Sequence, residues 1–240
     1  MSKKKTKHKQ HKQPKLIEST LALSFNIKTP FKLTDNQNEF INISSAKDTN
    51  IIICDGPAGT SKTFCAVNVA LKMLQKKEIE HIIYVRSIVE SAARKLGSLP
   101  GEVDDKFKPW IMPFLEKCDE LIEPYVTDSL IKDEYISCVP VNFLRGTTFK
   151  DCVVIVDESQ NLEMSEIITI LTRFGVNCKM FIIGDTLQSD INKSCFKSIF
   201  NTFNDEKSKD NGIQTFKFTE DDILRSKILK FIINKVSNLK

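Results

Sequence analysis

Ile51-Ile52-Ile53-Cys54-Asp55-Gly56-Pro57-Ala58-Gly59-Thr60-Ser61-Lys62-Thr63 carries the pattern from which the rest of the chain can be read. The apolar run 51–54 is too short for a helix and suits a strand buried on both faces, as in a parallel sheet. Gly56 and Gly59 break the run, and 62–76 resumes with helical apolar spacing. A strand, a glycine-rich turn and an amphipathic helix, in that order, are the context that a G-x-x-x-x-G-K-[ST] phosphate loop requires. In such a loop the N–H groups of the turn and of the helix N-terminus converge on phosphate oxygens, and the helix dipole favours the negative charge. Lys62 is then expected to reach the β- and γ-phosphates, and the Thr63 hydroxyl to ligate magnesium. The expected ligands are ATP and Mg2+, held by Gly56, Pro57, Ala58, Gly59, Thr60, Ser61, Lys62 and Thr63. Ser61 stands where the pattern has its second glycine, which lets phosphate approach without a Cβ in the way. A serine is expected to fit there if its backbone is right-handed helical.

Outward from this stretch, 82–85 reads as the next strand and completes a βαβ unit of a parallel sheet. Upstream, 34–44 opens on a capping threonine and reads as a short helix. Downstream, the strand rhythm returns at 153–156 and 180–183, with a helix over about 165–174 between them. A late strand is expected at 216–218 and a closing helix at 223–236, with Ile223, Leu224, Ile228, Phe231 and Ile232 on its apolar side. The polar stretch 201–212 reads as a loop. Residues 88–140 show no strong strand signal. Helical periodicity at 106–123, interrupted by Pro109 and Pro113, marks this region as a helical excursion from the α/β core.

The strand 153–156 ends in Asp157-Glu158-Ser159-Gln160-Asn161. Carboxylates at the carboxyl end of a parallel strand point into the crevice where open α/β sheets bind ligands. Asp157 is expected to hold magnesium, and Glu158 to orient or deprotonate an attacking water. The strand 180–183 ends in Gly184-Asp185-Thr186-Leu187-Gln188, where Gln188 is placed to sense a γ-phosphate. A turn with Asp185 as a cap explains the same residues equally well.

Charge divides the chain. Seven of the first fifteen residues are lysines and none is acidic, leaving 28 bases against 31 acids in the remainder. Residues 1–33 therefore read as a basic, disordered tail and connector, suited to polyanions or to solubility alone, and 34–240 as the folded domain. The longest apolar runs are far too short to span a bilayer, and the tail has no apolar segment of signal-peptide type. Seven cysteines without a CxxC pair fit reduced thiols and a cytoplasmic setting. Lys-, Asn- and Ile-rich usage in a compact chain suggests an AT-rich genome, such as that of a phage.

In order along the chain stand Asn36-Gln37, GPAGTSKT (56–63), Val85-Arg86-Ser87, KLGSLPG (95–101), FLRGTTF (143–149), DESQN (157–161), GDTLQ (184–188) and DDILR (221–225). With these blocks the chain resembles the PhoH-like ATPases, P-loop proteins whose motifs look like those of superfamily 1 helicases. The resemblance implies a RecA-like core over most of the chain outside the tail. It implies that Gln37 reads the adenine edge, and that Gln160 and Gln188 couple the γ-phosphate to conformational change. Arg225 takes the place of the family's late arginine, a candidate arginine finger, with Arg145 as a second basic candidate. It also implies ring-like homo-oligomers and RNA metabolism, sometimes alongside a ribonuclease, for which 240 residues leave no room beyond core and tail. Two positions depart from the family pattern, Ser61 for glycine and Ser87 for the proline that usually follows the arginine.

The leading expectation is an ATPase coupled to RNA or single-stranded DNA, with the tail and Arg86 as contacts for phosphate backbone. A slow nucleotide-dependent regulatory or assembly protein acting through a partner is the alternative, favoured by Ser61. A small-molecule kinase shares the loop but does not need DESQ and GDxxQ together.

Overall fold

The computed structural model describes residues 24–87, 103–141, 144, 146, 148–186, 188, 194–224, 228, 231, 232 and 235, with 103–108 as backbone only. The tail and the candidates Arg145 and Arg225 lie outside the described residues. Six strands form one sheet: β1 (Ile51–Asp55), β2 (His81–Arg86), β3 (Ile136–Pro140), β4 (Cys152–Asp157), β5 (Cys178–Gly184) and β6 (Ile213–Lys217). They pair in the order β3-β2-β4-β5-β1-β6, and every pair is parallel. The helices bounded within the described residues are α1 (Asp35–Ser45), α2 (Lys62–Gln75), α3 (Val103–Leu121), α4 (Pro124–Lys132), α5 (Met164–Leu171), α6 (Phe196–Thr202) and α7 (Glu206–Asp210), and positions 228, 231, 232 and 235 are helical as well. This is a RecA-like P-loop core, in which one strand, β5, separates the phosphate-loop strand β1 from the acidic strand β4.

The period of two in a strand sends alternate residues to opposite faces. Ile52 and Cys54 of β1 join Phe181 and Ile183 on one face, beneath Phe40 of α1, the apolar side of α2, and Phe114, Cys118 and Leu121 of α3. Ile51 and Ile53 join Met180 and Ile182 on the other, beneath Ile167 and Ile170 of α5 and Phe196 and Ile199 of α6. Each buried aliphatic side chain contributes about 1.5–3 kcal/mol, which is why the run 51–54 contains no polar residue. Lys179 is the exception within a core strand. Its Nζ donates to the Ala46 carbonyl at 3.0 Å and to that of Thr49, at the C-terminal end of α1. There a cation is favoured by the helix dipole, although burial still pulls its pKa down to about 8.

Several expectations need correction. The excursion is helical through α3 and α4, but it also contains β3, an edge strand paired only with β2. Its sequence, ISCVP, is short and ends in the proline that an edge tolerates, so it shows none of the apolar run that marks the central strands. Helix α3 runs unbroken through Pro109 and Pro113. Each proline removes one amide donor, and the burial of Phe114, Cys118 and Leu121 outweighs the loss. The 201–212 stretch holds a helix, α7, whose N-cap Asp205 accepts from the Ser208 amide. Ile223 and Leu224 precede the closing helix rather than forming part of it, following a 3-10 turn at Glu220–Asp222.

Residues 24–33 form a strap rather than a loose connector. Phe25 is buried, and Ile27, Phe31 and Leu33 pack on the core. The Lys28 amide donates to the Leu121 carbonyl at 2.7 Å, and its side chain pairs with Glu123. Among the described residues no helix is long and apolar enough to cross a membrane.

Candidate nucleotide-binding site

The site forms at the carboxyl ends of β1, β4 and β5. Where β1 ends, a Cβ on Gly56 would lie 2.7 Å from the Cβ of Phe218, so only glycine lets the chain turn there. The turn then uses two left-handed residues, Gly59 at φ +85° and Ser61 at φ +65°. The right-handed backbone on which an easy fit of serine depended is therefore absent at Ser61. A side chain in that region costs about 1–2 kcal/mol, which glycine would avoid. Ser61 is the N-cap of α2, yet its side chain caps nothing. The first-turn amides of α2 are thus left to an outside acceptor, as in anion sites at helix N-termini.

Inside the loop, Lys62 curls back, its Nζ donating to the carbonyls of Gly56 at 2.6 Å and Pro57 at 2.9 Å. The Thr60 hydroxyl also donates to the Pro57 carbonyl, at 2.9 Å. Gln37 bolts the loop from beneath. Its amide nitrogen donates to the Thr60 carbonyl at 3.1 Å and to the Asp222 carbonyl at 3.0 Å, and its oxygen accepts from the Thr34 amide at 3.0 Å. With Thr34 it completes the capping box of α1. The residue expected to read adenine is wholly buried here, and its hydrogen-bonding capacity is directed at backbone.

On α2, Thr63 faces Asp157 at the end of β4, its hydroxyl 3.2 Å from both carboxylate oxygens. Asp157 also accepts from the Tyr84 hydroxyl at 3.0 Å and from the Glu158 amide at 3.0 Å. Glu158 has a left-handed backbone, φ +54°. One of its carboxylate oxygens accepts from the Gln160 side chain at 2.6 Å, and the other lies 3.6 Å from Arg86. Burial, and next the Asp157 charge, raise its pKa against the opposing pull of Gln160, Arg86 and Lys62. A raised carboxyl of this kind is closer to the range useful to a general base. The Gln160 oxygen accepts from the Asp185 amide at 3.1 Å, tying the end of β4 to that of β5.

These groups line one cavity of about 580 Å³. Ala58, Gly59, Ser61, Lys62 and Thr63 form one wall, and Asp157, Glu158, Gln160, Asp185 and Gln188 another. Phe31, Phe64 and Leu224 add apolar surface, and Pro113, Lys117 and Glu120 of α3 close a further side. The structure therefore brings together the loop, Thr63, Asp157 and Glu158. Gln188 sits exposed at the rim, its amide bonded to the Asp185 carbonyl at 3.1 Å. Arg86, expected to meet a nucleic-acid backbone, is instead turned inward to Glu158. Ser87, in place of the family's proline, donates its hydroxyl to the Asn161 carbonyl at 3.2 Å.

Sequence reading missed four contributors. Asp55 accepts from the Thr186 amide at 2.9 Å and from its hydroxyl at 3.1 Å, closing β1 against β5. Tyr84 orients Asp157. Lys117 and Glu120 reach the cavity from the excursion. Only Asp55, a carboxylate ending a core strand, carried a signal that the rule used for Asp157 would have caught.

The family model described as PhoH-like protein matches residues 31–237. The chain belongs to the PhoH-like family. Among relatives, a PhoH-like protein of Synechocystis sp. is 37% identical over 158 residues, covering 66% of this chain and 47% of its own. That of Bacillus subtilis is 32% identical over 200 residues, covering 83% and 61%. Protein PhoH of Escherichia coli K12 is 25% identical over 207 residues, covering 85% and 58%. The chain thus spans roughly half to three-fifths of the relatives' length. Similar solved structures include the Pyrococcus furiosus Hef helicase domain, with a TM-score of 0.47 and 13% identity over 77% of this chain and 37% of that one. Membership in the family and the P-loop core make this a nucleotide-binding chain.

The donor set also fits magnesium. A hydroxyl and a carboxylate facing one another are hard oxygen ligands, and this ion takes few protein ligands beside phosphate and water.

Proposed function

We propose that this chain hydrolyses ATP with magnesium and couples the hydrolysis to RNA or single-stranded DNA. The observation that carries the first half is the Thr63 hydroxyl set 3.2 Å from both oxygens of Asp157, with Glu158 adjacent. The N-terminus of α2 and Lys62 bind the triphosphate, Lys62 exchanging loop carbonyls for phosphate oxygens. Thr63 and Asp157 hold magnesium, which supplies Lewis-acid neutralisation of phosphate charge. Glu158 orients the attacking water and accepts its proton. Water attacks the γ-phosphorus, the bond to the β–γ bridging oxygen breaks, and ADP and inorganic phosphate leave. The coupling to nucleic acid is supported by the lysine-rich tail and by family membership. In the coupled form the chain assembles as a ring-like homo-oligomer or uses the 88–140 region as its strand contact.

The test is ATP turnover with and without single-stranded RNA and DNA. Lys62→Ala is expected to abolish turnover, and Glu158→Gln to lower kcat by about 10²–10⁴. RNA is expected to raise wild-type turnover several-fold. Turnover indifferent to every nucleic acid would remove the second half of the proposal, and no Lys62-dependent turnover at all would remove the first.

A further inference from the structure

Strand β2 presents Tyr84 and Arg86, two residues apart and so on one face of the sheet. Each touches one carboxylate at or just beyond the end of β4 and one residue of α3. Tyr84 donates its hydroxyl to Asp157 and stacks on Phe114, with ring centroids 4.4 Å apart at 17°. Arg86 donates Nη1 to the Trp110 carbonyl at 3.1 Å, and its Nη2 lies 3.6 Å from Glu158. Trp110 and Phe114 are one helical turn apart, on the same side of α3. Two struts therefore run from one helix to the two acidic residues of the site.

The struts differ in kind. Tyr84 is buried between rigid partners, and its route is fixed packing. The Arg86 guanidinium is shared between a helix carbonyl and a carboxylate, so its place depends on both. Its fork of donors can serve two acceptors at once, which a lysine's single ammonium does less well. Glu158 meanwhile has both carboxylate oxygens engaged, one by Arg86 and one by Gln160, on a strained left-handed backbone. A carboxylate held so can move toward an attacking water only as far as its two partners allow. Lys117 and Glu120, further along α3, face the nucleotide cavity itself. Filling that cavity therefore acts on the same helix that anchors Arg86.

We propose that Arg86 is a positioning residue that restrains Glu158 on behalf of α3, so that hydrolysis waits on the position of this helix. The inference rests on Glu158 serving the hydrolysis proposed above, but its structural half can be tested without turnover. Trp110 is the single tryptophan of the chain, and its carbonyl is the α3 end of the link, so its emission reports the state of the strut.

The experiment uses the full chain and compares wild type, Arg86→Ala, Arg86→Lys, Glu158→Gln and the double variant Arg86→Ala/Glu158→Gln. Without nucleotide, Glu158→Gln is expected to shift Trp110 emission in the wild-type background and to leave it unchanged once Arg86 is alanine. In turnover, Arg86→Ala is expected to raise kcat without nucleic acid by about 5-fold or more, the lower end of site-to-site coupling, with KM for ATP unchanged. Arg86→Lys keeps the charge but not the fork and should fall between the two. It also stands in for alanine if that variant does not fold. The inference is overturned if Glu158→Gln shifts the emission equally in both backgrounds, or not at all. A fall in kcat with Arg86→Ala would likewise show mere support rather than restraint. If the emission is coupled but wild type hydrolyses no ATP, the strut stands and the hydrolysis reading alone fails.

Discussion

The phosphate loop and helix α3 face each other across one cavity, and they are held in place by different means. The loop is fixed mostly by its own backbone and near neighbours: Lys62 on Gly56 and Pro57, Thr60 on Pro57, with Gln37 beneath. Helix α3 is fixed by packing and by side chains that reach it from β2, through Tyr84 to Phe114 and Arg86 to Trp110. Apart from Gln37, the first kind of support lies within the loop itself. The second depends on the whole sheet and can transmit displacement. A site walled by one rigid and one relayed element can bind on the first and respond through the second.

That contrast can be broken most forcefully from the α3 side. Phe114 is fully buried against Tyr84, so Phe114→Ala is expected to cost about 3–5 kcal/mol, read by urea unfolding. A loss below about 1 kcal/mol would show that α3 is not packed as described. On the loop side, Gln37→Met keeps the volume but leaves the Thr60 and Asp222 carbonyls and the Thr34 amide without their partner. It should cost about 1–3 kcal/mol in the same assay while leaving the preference for ATP over GTP intact. A collapse of that preference with no loss of stability would restore Gln37 as a reader of the base. The smallest effect should come from Ser61→Gly. Relief of the left-handed serine, less the added freedom of glycine in the unfolded chain, leaves about 0.5–1 kcal/mol of stabilisation. A destabilised Ser61→Gly variant would mean that the serine hydroxyl does something its φ angle does not reveal.

What the sequence made legible follows the same division. The βαβ unit around 51–63, the central strands and the pairing of Thr63 with Asp157 were open to reading because buried parallel strands are continuous apolar runs and phosphate loops have fixed spacing. The edge strand β3 was not, since half-exposed edges need no apolar run. The Arg86–Glu158 and Tyr84–Asp157 contacts were not either, because the register of β2 on β4, which sets Arg86 beside Asp157, has no local signature. Ser61 shows the limit within a motif: its identity was plain, but the hand of its backbone was a property of the folded turn. Lys179 shows the converse, a charged residue in a core strand whose partners are carbonyls at the end of α1.

The strand order carries a consequence for how the chain is made. β1 lies between β5 and β6, and roughly 120 residues separate the end of β1 from the start of β5. At translation rates of about 5–20 residues per second, the run 51–54 emerges roughly 6–25 s before its first partner exists. During that interval an apolar strand of the nucleotide site has no neighbour to pair with, so the motif that binds phosphate also follows a segment in need of protection from other chains while synthesis continues.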